Sequence, residues 1–123
     1  MGKSVLIVDN DEQVRRAISE MLDFCRPSFE KQVAGNGIEA LRKIASGFIP
    51  DIIICDVSMP VMSGIALHHA FSQSDFEFRW LFTAASFNYR VRRFLYEEQV
   101  PVLLKPFWIK ELNEALEIIL AEE

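Results

Sequence analysis

A chain of 123 residues, half of them hydrophobic and a quarter charged, has the size and apolar content of one packed domain, which excludes wholesale disorder. Its formal charge of -5 argues against general binding to nucleic acid or an anionic membrane, and no apolar run approaches bilayer-spanning length. Two cysteines, Cys25 and Cys55, are too few for a disulfide framework and suit a reducing cytoplasm.

Met1-Gly2-Lys3-Ser4 leads straight into the apolar run Val5-Leu6-Ile7-Val8, which is shorter than a secretion signal needs, so a soluble, unexported protein is expected. That run reads as a first strand over residues 4–8. The helix after it places Val14, Ala17, Ile18, Met21, Leu22 and Cys25 on one stripe, with Asp11 as N-cap. Residues 29–34 mix Glu30, Lys31 and Gln32 with Val33, too polar for burial on both faces, and predict a strand at a sheet edge. Gly35-Asn36-Gly37 then turns the chain into a helix with Ile38, Leu41, Ile44, Ala45 and Phe48 at helical spacing, ended by Pro50.

Residues 51–55 form a central strand whose thiol, Cys55, acts as a small apolar side chain, and Asp56 stands where that strand gives way to Val57-Ser58-Met59-Pro60-Val61-Met62-Ser63-Gly64. A third helix is expected from near Gly64 to about Phe71. Phe76, Phe78, Trp80 and Phe82 alternate with Glu77, Arg79, Leu81 and Thr83, which predicts a strand with its aromatics in the core. A fourth helix, residues 88–98, buries Val91, Phe94 and Leu95, and Pro101 opens a short marginal strand over 102–104. The last helix aligns Ile109, Leu112, Ala115, Leu116, Ile119 and Leu120 and runs to Glu123. No repeat or linker divides residues 1–123, so a single α/β domain is expected, a parallel sheet with helices on both faces.

Four strand ends carry polar chemistry: Asp9-Asn10-Asp11-Glu12, Asp56, Thr83 and Lys105. Open parallel sheets bind ligands beyond the carboxyl ends of their strands, so these groups should converge on one crevice. Carboxylates from two strand ends with a loop carbonyl suit the hard cation Mg2+, and a lysine from a third pairs with phosphate. With Asp56 as nucleophile, in-line phosphoryl transfer would make an aspartyl phosphate, with Thr83 bonded to a phosphoryl oxygen.

Val8-Asp9-Asn10-Asp11-Glu12, Gly35 to Leu41, Pro50-Asp51 leading to Asp56 with Met59-Pro60 and Gly64, Phe82-Thr83-Ala84 and Leu104-Lys105-Pro106-Phe107 occur in order at fitting separations. In these motifs, and over nearly its whole length, the chain resembles the receiver domains of two-component response regulators, chemotaxis-type single-domain members included. The resemblance implies a flavodoxin-like (βα)5 sandwich with strand order 2-1-3-4-5. It implies that Asp56 accepts phosphate from a sensor histidine kinase or histidine phosphotransfer protein, without turnover of a separate substrate. Asp9, Asn10, Asp56 and the Ser58 carbonyl would hold Mg2+, while Thr83 and Lys105 bind the phosphoryl group. Phosphorylation would then switch the face of the fourth helix, fifth strand and fifth helix toward a downstream protein target.

Two positions depart from the family pattern. A carboxylate usual in the family is Asn10 here; one negative charge is lost, so Mg2+ affinity is expected to fall and repulsion among Asp9, Asp11 and Asp56 to ease without metal. Val102 stands where the family often carries a Tyr or Phe that swings inward on activation, so coupling should be weaker or use Phe87, Tyr89 or Trp108 instead.

Other features read more plainly. Asp11 and Glu12 suit a helix N-terminus, adjacent His68 and His69 point in different directions and lack a third ligand, and Arg90, Arg92 and Arg93 form a solvated face or a partner patch. Gly2-Lys3-Ser4 precedes a strand and so does not act as a phosphate-binding loop. Two other functions compete: a phosphorylation-independent receiver acting as a binding module, and a haloacid-dehalogenase-like phosphatase using Asp9-Asn10-Asp11. The second lacks the expected residue at Gln13 and a cap insertion.

Overall fold

Runs that are apolar on both faces must be covered on both faces, and this places Val5–Val8 and Ile52–Cys55 side by side at the centre of a sheet. The computed structural model describes residues 3–121. The elements alternate as β1 (Lys3–Val8), α1 (Glu12–Leu22), β2 (Phe29–Ala34), α2 (Gly37–Ala45) and β3 (Ile52–Asp56), then α3 (Gly64–Ser72), β4 (Arg79–Ala84), α4 (Tyr89–Glu98), β5 (Val102–Leu104) and α5 (Ile109–Ala121). All strands are parallel in the order β2-β1-β3-β4-β5, the flavodoxin-like arrangement, with the polar strand and the proline-opened strand at the two edges.

The period-two alternation of each strand sends its side chains to two separate cores. Val5, Ile7, Ile52, Ile54 and Leu81 meet α1 and α5, whereas Leu6, Ile53, Cys55 and Phe82 meet α2, α3 and α4. Burying such side chains contributes roughly 1.5–3 kcal/mol each. Helix starts are local: Asp11, Asn36, Ser63 and Asn88 accept from the backbone N–H of Gln13, Glu39, Ala66 and Val91. Among the described residues no helix is long and apolar enough to cross a membrane.

Several boundaries differ from those read in the sequence. Helix α1 stops at Leu22, because Asp23, Phe24 and Cys25 donate in a tightening turn to Glu20, Met21 and Leu22; Cys25 is still buried. Helix α2 ends before Gly47, whose φ of 112° only glycine adopts freely, and not at Pro50; Phe48 packs onto the core from the following loop. Strand β4 starts at Arg79, opposite the first residue of β3, so Phe76 and Phe78 precede the sheet and Phe76 is 44% exposed. Strand β3 keeps Asp56 as its last residue, one further than expected. Ala17, Ala45 and Ile109, placed on core stripes by spacing, lie at their exposed margins. Met1, Gly2 and the expected helix end at Glu122 and Glu123 lie outside the described residues.

Candidate functional site

Strand order brings the carboxyl ends of β1, β3, β4 and β5 together, and with them Asp9, Asp56, Thr83 and Lys105. Asp9 is 1% exposed, Asp56 7% and Thr83 1%, the three buried polar residues among those described. Lys105 Nζ donates to Asp9 Oδ2 at 2.8 Å and to Asp56 Oδ2 at 3.1 Å. Two carboxylate oxygens from different strands therefore point at one cation-sized position.

The remaining carboxylate oxygens are also held. Asp9 Oδ1 accepts from the Asp11 N–H at 2.9 Å, and Asp56 Oδ1 from the Ser58 N–H at 3.3 Å. Asp11, by contrast, is exposed and caps α1, which leaves Asp9 the inward acid of the cluster. Arg15 was not anticipated: its Nη1 donates to the Asp9 carbonyl at 2.7 Å, because a helix side chain leans back toward the N-terminus and reaches the strand just left. An arginine four residues after an N-cap was the available signal.

Burial pushes the Asp56 carboxyl up from its ordinary value and nearby Asp9 adds to this, against the Lys105 charge and the Ser58 N–H, which pull it down. Burial alone would lower Lys105, but its hydrogen bond to Asp9 and the charges of both carboxylates outweigh that and hold it up. The Cys55 thiol is pushed well up by burial and by Asp56 and Asp9, so it is inert.

Thr83 pairs with Asp56 across the ladder, and its backbone carbonyl accepts from the Val57 N–H at 3.0 Å. Its hydroxyl is buried without a hydrogen-bond partner, an arrangement that a ligand oxygen beside Asp56 would relieve. The donors fit a hard cation: Asp9 and Asp56 supply anionic oxygens, exposed Asn10 a neutral side-chain oxygen, and exposed Ser58 a loop carbonyl. Among the described residues no group of three or more His, Cys, Asp or Glu side chains able to hold a metal occurs; Asp9 and Asp56 are the two carboxylates gathered here.

The loop after Asp56 is strained. Val61 has φ of 71° and is 80% exposed, a left-handed conformation that β-branched residues rarely take. Val61→Asn is expected to stabilise the protein by about 1 kcal/mol, raising its urea midpoint; a lower midpoint would show that the valine makes a contact worth more than its strain.

The remaining sequence candidates lie apart. Phe87, Tyr89 and Trp108 are exposed, Val102 is half-buried against the α2–α4 core, and Arg90, Arg92 and Arg93 are solvated on α4. His68 packs edge-on against Trp80, Phe82 and Phe94, while His69 is exposed.

A family model described as response regulator receiver domain matches residues 5–117. The chain is 34% identical over 122 residues to the Regulator of RpoS of Escherichia coli (strain K12), covering 98% of this chain and 35% of that protein. It is 48% identical over 61 residues to protein-glutamate methylesterase/protein-glutamine glutaminase 3 of Rhodospirillum rubrum, half of this chain and 16% of that one. The chain thus spans about a third or less of the length of these curated relatives. Among solved structures, Vibrio cholerae chemotaxis protein CheY4 superposes with a TM-score of 0.83 at 30% identity, covering 97% of this chain and 99% of that one. A response regulator from Chloroflexus aurantiacus J-10-fl gives 0.87 at 29% identity, covering 98% and 99%.

Proposed function

We propose, from the premise that this chain belongs to the response regulator receiver domain family, that it is a phosphoacceptor whose reactive atom is a carboxylate oxygen of Asp56. The observation that carries this reading is the Lys105 ammonium bridging Asp9 and Asp56 beside the unpartnered Thr83 hydroxyl.

The donor is a phosphohistidine of a sensor histidine kinase or histidine phosphotransfer protein. An Asp56 oxygen attacks phosphorus, the P–N bond breaks, and the imidazole leaves with the electron pair. Lys105 favours the ionised form of Asp56 against its burial and neutralises charge on the transferred group. Thr83 donates its hydroxyl hydrogen to a phosphoryl oxygen, which satisfies a group otherwise buried unpaired. Mg2+, held by Asp9, Asn10, Asp56 and the Ser58 carbonyl, would supply charge neutralisation at the phosphoryl oxygens. The domain turns over no separate substrate, and its output partner docks on the face of α4, β5 and α5.

Exposure to an acyl phosphate with Mg2+, read by intact mass, should add one phosphoryl group to the natural sequence and none to Asp56→Asn. No adduct under any metal condition would instead favour a phosphorylation-independent binding module, the reading that Asn10 and Val102 support. Asn10→Asp should tighten Mg2+ about tenfold, measured by titration, because ligand charge sets affinity for this ion. With a chelator present the same variant should melt slightly below the natural sequence, by less than about 1 kcal/mol, since the added charge is exposed. An unchanged affinity would remove position 10 from the metal site.

A further inference from the structure

Strand β5 is too short to cover β4. Its three residues pair with Phe82, Thr83 and Ala84, and Arg79, Trp80 and Leu81 have no strand on that side. Phe82 donates to the Pro101 carbonyl at 3.0 Å, so even-numbered residues of β4 turn their backbone toward β5. The same ladder would have residue 101 donate to the Trp80 carbonyl, and proline has no N–H. Gln99, with φ of 55°, turns the chain away just before.

The result is a cavity of about 760 Å3 at the foot of the sheet, between the C-terminal ends of α4 and α5. It wraps the open edge, so Trp80 reaches it from the α3–α4 face and Arg79 from the α5 face. Phe78, Trp80, Leu95, Val100 and Ile118 make its walls apolar, and no Asp or Glu among the described residues lines it. Burial lowers His68 from its ordinary value against the nearby Glu98 charge, and Arg79 is the one Arg or Lys in the lining among the described residues. Its Nε donates to the Ile119 carbonyl at 3.2 Å, which fixes the guanidinium; its Nη groups have no hydrogen-bond or ion-pair partner among the described residues. Glu98, 3.8 Å from His68 Nδ1, lines the neighbouring groove between α3 and α4 instead.

We infer that this cavity binds a small amphipathic anion, an apolar planar body with a carboxylate. The body lies between Trp80, Leu95 and Ile118, and the carboxylate meets the Nη groups of Arg79. The volume suits one small molecule. An added peptide strand would find only three uncovered residues of β4, the short end of strand lengths, whereas the apolar walls enclose a volume of small-molecule size. The site is separate from the Asp56 crevice: Arg79 precedes Thr83 by four residues, about 13 Å down the strand.

Trp108→Phe leaves Trp80 as the sole tryptophan of the two, so its indole N–H resonance reports the cavity directly. Titration with 1-naphthoate should shift that resonance saturably, and the uncharged 1-naphthalenemethanol should bind about tenfold more weakly. Arg79→Gln should cost naphthoate about tenfold and leave the alcohol unchanged. Ile118→Glu, at a rim position 66% exposed, should weaken naphthoate by placing a carboxylate beside it. The assignment is overturned by no saturable shift, by equal affinity for acid and alcohol, or by an Arg79→Gln loss that is the same for both. Should Arg79→Gln not fold, an unchanged naphthoate affinity in Ile118→Glu overturns it as well.

Discussion

Lys105→Met is expected to destabilise the metal-free protein by about 3 kcal/mol at neutral pH, because it leaves two buried carboxylates facing each other without a counter-charge. The pH dependence separates this cause from lost packing. Burial already raises Asp56, and removing the ammonium that opposes it raises it further. A carboxyl whose folded pKa lies above its unfolded value costs nothing while both states are protonated, and costs progressively more as pH rises past the unfolded value, about 3.9. The deficit of the variant should therefore be small in acid and full near neutrality. In the natural protein Lys105 is itself raised, so its stabilisation is complete below its unfolded value, about 10.4, and disappears as pH rises through the folded value. Urea midpoints of both proteins from acid to neutral pH measure the carboxyl-linked deficit, and a loss that does not change with pH would indicate packing alone. Adding Asp56→Asn to Lys105→Met should recover part of the loss, since one of the two opposed charges is gone.

Gly64→Ala should cost at least about 3 kcal/mol and disturb Asp56 directly. A Cβ at position 64 would collide with the Asp56 carbonyl oxygen and come within 2.9 Å of its carbon and 3.0 Å of Cys55 Sγ. Those atoms have nowhere to go. Asp56 pairs with Thr83, and the Gly64 N–H donates to the Val57 carbonyl at 3.1 Å, which ties the start of α3 to the end of β3. Gly37→Ala provides a comparison: its new Cβ would meet Met62 Cγ at 2.7 Å and Cβ and Sδ at 2.9 Å. The thioether can rotate away, but relief at the Met62 Cβ requires its loop to shift, so a smaller loss than at Gly64 is expected. A Gly64→Ala protein with a natural melting temperature would mean that α3 and the Asp56 loop shift freely, against this account.

Most of the fold is legible because its causes are local. Asp11 as a cap, the polar run of β2 and the proline before β5 each report their own place in helix, edge or margin. The misplaced boundaries have a common reason. Cys25 and Phe48 continue a helical spacing that the backbone has already left, and Phe76 continues a strand alternation beyond the neighbouring strand, because periodicity records which side chains are buried and not which residues bear the ladder. At the candidate site, the residue types were legible but their pairing was not. Arg15 on the Asp9 carbonyl and Val61 in left-handed backbone leave no periodic trace.

By itself the sequence determines a parallel α/β order and four strand ends bearing Asp9, Asp56, Thr83 and Lys105, since apolar periodicity, caps and turn residues act over a few neighbours. Tertiary structure alone decides that Lys105 meets Asp9 across 96 residues of chain, that the Thr83 hydroxyl is left without a partner, and that Gly64 must lack a Cβ. It alone decides, too, that β4 is bare at its foot. These depend on strand order and register, in which a one-residue slip would turn every side chain to the opposite face, and no stretch of neighbouring residues carries that information.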